Sequence, residues 1–175
     1  MYKRFLAIIA ALAMLLFGFT TSALAVTRTI NPAAAPTGTH LQTGTIDCTV
    51  TAQLVSCTTF ELAGVGNTNA TATLITTYTA TVQCRNHGGQ IVEVKSQVKA
   101  AEVTTGSLEP KNGRLTVPAL SSSPVPTAAQ FEAQATCPNG NWTKELLGGT
   151  ITLSSFTYTL HFTGFTGNYI TITGP

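Results

Sequence analysis

Charge is what this sequence has least of. Only 9% of its 175 residues are Asp, Glu, Lys or Arg, with one aspartate, Asp47, and one tryptophan, Trp142. A lone aspartate cannot furnish the oxygen-rich loop of a calcium cage. No G-x-S-x-G accompanies it to build an acyl-transfer triad. No basic block is present to neutralise a run of phosphates, which leaves a nucleic-acid partner unsupported, and no amphipathic basic helix offers itself to a membrane surface. Long apolar runs are missing too, except for one near the start.

That run, Phe5 to Phe19, follows Lys3 and Arg4 and precedes the small-residue close Ala23-Leu24-Ala25. This is the layout of a secretory signal peptide with an A-x-A cleavage site. Its 15 residues fall short of the roughly 20 needed to cross a bilayer core. Residues 1–25 are therefore read as a leader and residues 26–175 as a single domain, exported to the extracellular side with no membrane span after cleavage. Once Lys3 and Arg4 are removed, seven basic residues balance seven acidic ones.

The four cysteines, Cys48, Cys57, Cys84 and Cys137, all lie beyond the leader. An exported chain meets oxidising conditions, so two disulfides are expected. Of the three pairings, the local Cys48–Cys57 and the long-range Cys84–Cys137 are favoured. Chain entropy assigns about 2.7 kcal/mol to the first loop and about 4.2 kcal/mol to the second.

Strand signals dominate what remains. In "TATLITTYTATVQC", Ala72, Leu74, Thr76, Tyr78, Ala80, Val82 and Cys84 alternate with polar neighbours, the period of a half-buried strand. Arg85 to Gly89 then make a turn, and Val92, Val94, Val98 and Ala100 resume the inward face. Asn112-Gly113 predicts a two-residue hairpin turn, with Leu108 across from Val117 and Pro110 across from Leu115. "TIDCTVT" and "LVSCTTF" read as two short strands around Ala52-Gln53. "SFTYTLHFTG" buries Phe156, Tyr158, Leu160 and Phe162, and "YITIT" closes the chain. Over "TAAQFEAQATC", Thr127 and Gln130 fit a capping box; the alternation of Phe131, Ala133, Ala135 and Cys137 predicts a strand instead, and the strand is preferred.

Eight or nine short strands without a clear helix predict an all-β fold, a two-sheet antiparallel β-sandwich stapled by two disulfides. Two inward cysteines joining facing sheets resemble an immunoglobulin-type bridge in general architecture, with the departure that Trp142 follows the second cysteine instead of lying between the pair.

Candidate chemistry is thin. His87 stands three residues from Cys84, but a thiol nucleophile must be free and exposed, and Cys84 reads as inward and oxidised. Cysteine intervals of 9, 27 and 53 residues with scattered His40, His87 and His161 do not match zinc-ligand spacing. An N-terminal copper histidine is excluded by cleavage before Val26. Glu61, Glu93, Glu102, Glu109, Glu132 and Glu145 give no two a common site by spacing. Threonine is abundant, 31 of residues 26–175, and suits the wet side of strands. An ice-matching array would need fixed intervals along the chain, and none is present. Asn69 and Asn141 head glycosylation tripeptides.

The aromatic residues Trp142, Phe165 and Tyr169 form the candidate ligand surface, set against the reading that they cap one end of the core. No cofactor and no metal are expected. The expected role is a secreted, non-enzymatic adhesion, matrix or partner-binding module meeting a protein or glycan surface. Self-association is expected through edge strands, which low charge leaves poorly guarded. The alternatives are a carbohydrate-binding domain and a small secreted hydrolase.

Overall fold

A computed structural model describes residues 26–175; the leader assigned to residues 1–25 lies outside the described residues. The chain is mostly β, and every strand pairing is antiparallel. Its spine is β6 (Ala70–Arg85). One edge of β6 carries β12 (Thr152–Phe162) and β11 (Thr143–Leu146), and β12 is followed outward by β13 (Ile170–Gly174) and β1 (Thr27–Ile30). The other edge carries β7 (Ile91–Lys99) and β8 (Val103–Thr104).

The remaining strands make two three-stranded sheets. One joins β3 (Cys48–Thr51), β4 (Leu54–Cys57) and β10 (Leu120–Ser121); the other joins β2 (His40–Gly44), β5 (Phe60–Ala63) and β9 (Arg114–Val117). They are two halves of one ladder. Cys57 opposes Leu120 and Phe60 opposes Val117, the same register on either side of an interruption at Thr58-Thr59 and Pro118-Ala119. Pro118 has no N–H to donate, so a ladder bond is lost there.

The alternation read in β6 is the burial observed: Ala72, Leu74, Thr76, Tyr78, Ala80, Val82 and Cys84 are all buried. Phe156, Tyr158, Leu160 and Phe162 of β12 join them, opposed by Val55, Phe60, Leu62, Leu115 and Val117 from the smaller sheets. The β3–β4 turn sits at Ala52 and Gln53, both at positive φ. Gln53 does more than turn the chain. Its carbonyl accepts the Tyr78 hydroxyl at 2.9 Å, and its side-chain oxygen accepts the Leu153 backbone N–H, tying this turn to β6 and β12.

Three expectations need correction. The segment after Pro126 is not a strand but a helix, α1 (Ala128–Gln134). Only Phe131 and Ala135 of the alternating set are fully buried, and a spacing of four is one face of a helix. Gln130 Oε1 accepts the Thr127 N–H at 2.8 Å, which starts the helix as the capping-box reading required. Second, the Asn112-Gly113 turn forms, with Lys111 and Arg114 exchanging backbone hydrogen bonds, but the hairpin stops there. Leu115 pairs with Leu62 and Val117 with Phe60, while Leu108 bridges Ala70. Leu115 and Val117 reach full burial by pairing with β5. Third, Val92 keeps the inward phase of β7 but is 41% exposed, because α1 covers the strand around Ser96, whose hydroxyl donates to the Phe131 carbonyl at 2.7 Å. The N-terminal strands β1 and β2 had no sequence expectation at all.

Tyr158 supplies a test of the core. Its buried hydroxyl has no hydrogen-bond partner among the described residues, and burial raises its pKa. An unsatisfied buried polar group costs about 1–3 kcal/mol, so Tyr158→Phe is expected to raise stability by about 1 kcal/mol near neutral pH. Above pH of about 10 the unfolded chain loses this proton while the folded one retains it, so the wild type weakens and the gap widens in the variant's favour. Urea unfolding at two pH values measures both. A destabilised variant, or a gap that narrows in alkali, is the opposing result.

Candidate ligand surface

His87 sits on the turn at Asn86–Gln90. Asn86 and Gln90 exchange hydrogen bonds, the Asn86 side chain accepting the Gln90 N–H at 2.8 Å, and Gly89 takes a φ of 81°. His87 is exposed on this turn, while Cys84 is buried and bonded to Cys137. Cys48 bonds Cys57, and no cysteine is free. His40 and His161 each donate from Nδ1 to a backbone carbonyl, of Gly38 at 2.8 Å and of Gly167 at 2.7 Å. Among the described residues no three His, Cys, Asp or Glu side chains converge as a metal-binding group.

The three aromatic candidates do not form one surface. β11, just after Trp142, pairs with the Arg85 end of β6, whereas Phe162, just before the Phe165 loop, pairs with Ala70 at the other end. Fifteen steps along a strand span roughly 50 Å. Tyr169 is only 4% exposed. It packs edge-on against Phe162 with ring centroids 5.6 Å apart, and Phe165 does the same at 6.4 Å. These two rings cap the core. Burial raises the pKa of Tyr169, consistent with that position.

Trp142 stands apart. The Cys84–Cys137 bridge anchors the segment that leads to it, and the intervening turn closes through the Trp142 N–H donating to the Asn139 carbonyl and Asn139 Oδ1 accepting the Asn141 N–H at 3.0 Å. Thr143 then enters the sheet opposite Arg85. The half-buried indole lines an open pocket of about 380 Å³ with Thr136, Cys137, Asn139 and Lys144. An aromatic residue, an asparagine, a threonine and a lysine thus line one space.

A second open cleft, of about 440 Å³, gathers Glu61, Glu109, Lys111 and Arg114. These are four of the fourteen charged residues in residues 26–175, arranged with no net charge. Arg114 Nη1 lies 3.0 Å from Glu61 Oε1, a cross-strand ion pair at the solvent edge. Asp47 uses its carboxylate to accept the Cys48 N–H at 2.9 Å, a structural task.

The fold also creates neighbours that linear spacing hides. Glu93 and Glu145 flank Gln83 in one cross-strand row, and both are exposed. Thr104, Thr73, Thr159, Thr171 and Thr29 form a row across five adjacent strands. Successive strands rotate by roughly 20–25°, so such a row is a twisted rank and not the plane that a lattice would require. No family model, curated protein or solved structure matches the chain.

Proposed function

We propose that the protein is a secreted two-layer β-sandwich, immunoglobulin-like in general architecture, that acts without catalysis as an extracellular partner-binding module, and that its contact surface is the Trp142 pocket, taking a glycan. The observation that carries this reading is the setting of the only tryptophan: half-buried, held next to a disulfide, and flanked by Asn139, Thr136 and Lys144 around an open pocket. Aromatic faces present large rigid contact area at low entropy cost, and a few polar groups around them fix the orientation of a hydroxyl-rich ligand. The two disulfides, and the lack among the described residues of a helix long and apolar enough to cross a membrane, accord with an exported chain. The shared register of the two small sheets supports counting them as one layer opposite the large sheet.

A glycan array and polysaccharide pull-down test the proposal. Trp142→Ala is expected to weaken capture about tenfold or more, a loss of roughly 1.4 kcal/mol, with circular dichroism unchanged. Phe165→Ala, at the far end of β6, is expected to leave capture intact. Binding that ignores Trp142 removes the pocket from the reading. Substrate turnover lost on altering His87 or a glutamate turns the reading to the hydrolase.

A further inference from the structure

Among the described residues β7 pairs with β6 alone, through nine pairs with no shift of register, and its other edge carries no strand. The backbone hydrogen bonds at its two ends fix which residues face outward. The Asn86 N–H donates to the Gln90 carbonyl at one end, and the Ala100 N–H donates to the Thr76 carbonyl at the other. Hydrogen-bonded and non-hydrogen-bonded pairs alternate in an antiparallel ladder. Val92, Val94, Ser96 and Val98 therefore direct their N–H and C=O groups to β6. Ile91, Glu93, Lys95, Gln97 and Lys99 direct theirs outward, and among the described residues no other backbone group bonds to them. The edge has no proline and no bulge. Its neighbouring side chains Ile91 and Val92 are 45% and 41% exposed.

We propose that this edge binds a second copy of the chain, the two β7 strands running antiparallel about a two-fold axis at Val94. Charge complementarity selects this register. With Val94 opposite its own copy, Glu93 faces Lys95 of the second copy, and the symmetry repeats the pair. Ile91 faces Gln97 in the same way. All four are pairs of outward-facing residues, so they exchange about eight backbone hydrogen bonds. Side chains directly opposite interact, and like charges there are unfavourable. A register centred on Glu93 or on Lys95 sets that residue against itself and is rejected on this ground. A register centred on Ser96 would match Glu93 with Lys99, but it brings Ile91 against Ala101, whose carbonyl already accepts the Ser123 hydroxyl at 2.9 Å. The Val94 register avoids that loop. It also sets exposed Val92 next to Ser96 of the second copy, beside the helix that covers it. Lys95 now donates to the Thr81 hydroxyl at 2.8 Å; an ammonium has two further donors for Glu93.

Sedimentation velocity on the full chain, expressed under oxidising conditions, tests this from low micromolar to near-millimolar concentration. A concentration-dependent dimer is expected. Lys95→Glu places glutamates against glutamates and is expected to weaken the dimer about tenfold or more. The exchange of Glu93→Lys with Lys95→Glu restores opposite charges and is expected to restore association, while Lys99→Glu leaves it unchanged. If Lys95→Glu alone fails to fold, Glu93→Lys creates the same clash with lysines. A wild type that stays monomeric throughout, a dimer indifferent to both single reversals, or a dimer broken by Lys99→Glu overturns the proposal.

Discussion

Replacing Cys84 and Cys137 together by alanine is expected to lower the unfolding free energy by about 4 kcal/mol, from the loop-closure entropy of a 53-residue separation. The bridge joins the wholly buried end of β6 to the segment that follows α1, elements that the sequence leaves far apart. Without it the unfolded chain regains the freedom of that whole loop. The turn carrying Trp142 also loses its tether, so the glycan capture proposed for that turn is expected to fall along with stability. Cys48 and Cys57 provide the internal comparison. They lie directly opposite each other on adjacent strands, nine residues apart, and their removal is expected to cost about 2.7 kcal/mol. Urea unfolding of both double variants measures the difference. A long-range bridge that costs no more than the local one would show that the denatured chain already holds β6 near residue 137.

The sequence made the large sheet legible because its central strands alternate over long stretches. A period of two is visible from Ala70 to Cys84 in β6 and from Phe156 to Phe162 in β12, beyond the register shift at Leu153/Ser155. The inward phase of Cys84 followed from that pattern, and its bond to Cys137 leaves no free thiol beside His87. The short strands were harder. β1 and β2 are exposed at every residue, so they carry no alternation to read; pairing with β13 and β5 holds them in place. The hairpin register failed at Pro110 because local turn chemistry fixes only the pair next to the turn, and burial of Leu115 against Leu62 decided the rest. The candidate site was legible as residue types but not as a place. Trp142, Phe165 and Tyr169 lie within 28 positions of one another, yet the length of β6 holds Trp142 far from the other two. Spacing along a chain says little about separation when an 11-residue strand, β12, lies between the residues. What no linear pattern signalled was Gln53, whose role arises from three elements meeting at one turn.

Phe131→Ala is expected to destabilise the protein by about 3–5 kcal/mol, the range for removing a wholly buried aromatic ring. α1 has seven residues, too few to persist as an isolated helix in water, so docking must hold it. The Phe131 ring makes that docking, at 0% exposure. Two polar contacts depend on it: the Ser96 hydroxyl donating to the Phe131 carbonyl from β7, and Glu132 Oε1 accepting the Leu146 N–H of β11 at 2.9 Å. Losing the ring therefore releases a clamp between two strands on opposite edges of β6. Amide exchange should accelerate first in Leu146 and its neighbours in β11. Ala133 separates this account from the strand reading. In a strand it would share the inward face with Phe131 and Ala135, and Ala133→Lys would bury a charge. On the observed helix it is exposed, so Ala133→Lys should change stability by no more than about 0.5 kcal/mol. A severe Ala133→Lys would return this segment to the sheet, and a harmless Phe131→Ala would show that the ring does not hold the helix in place.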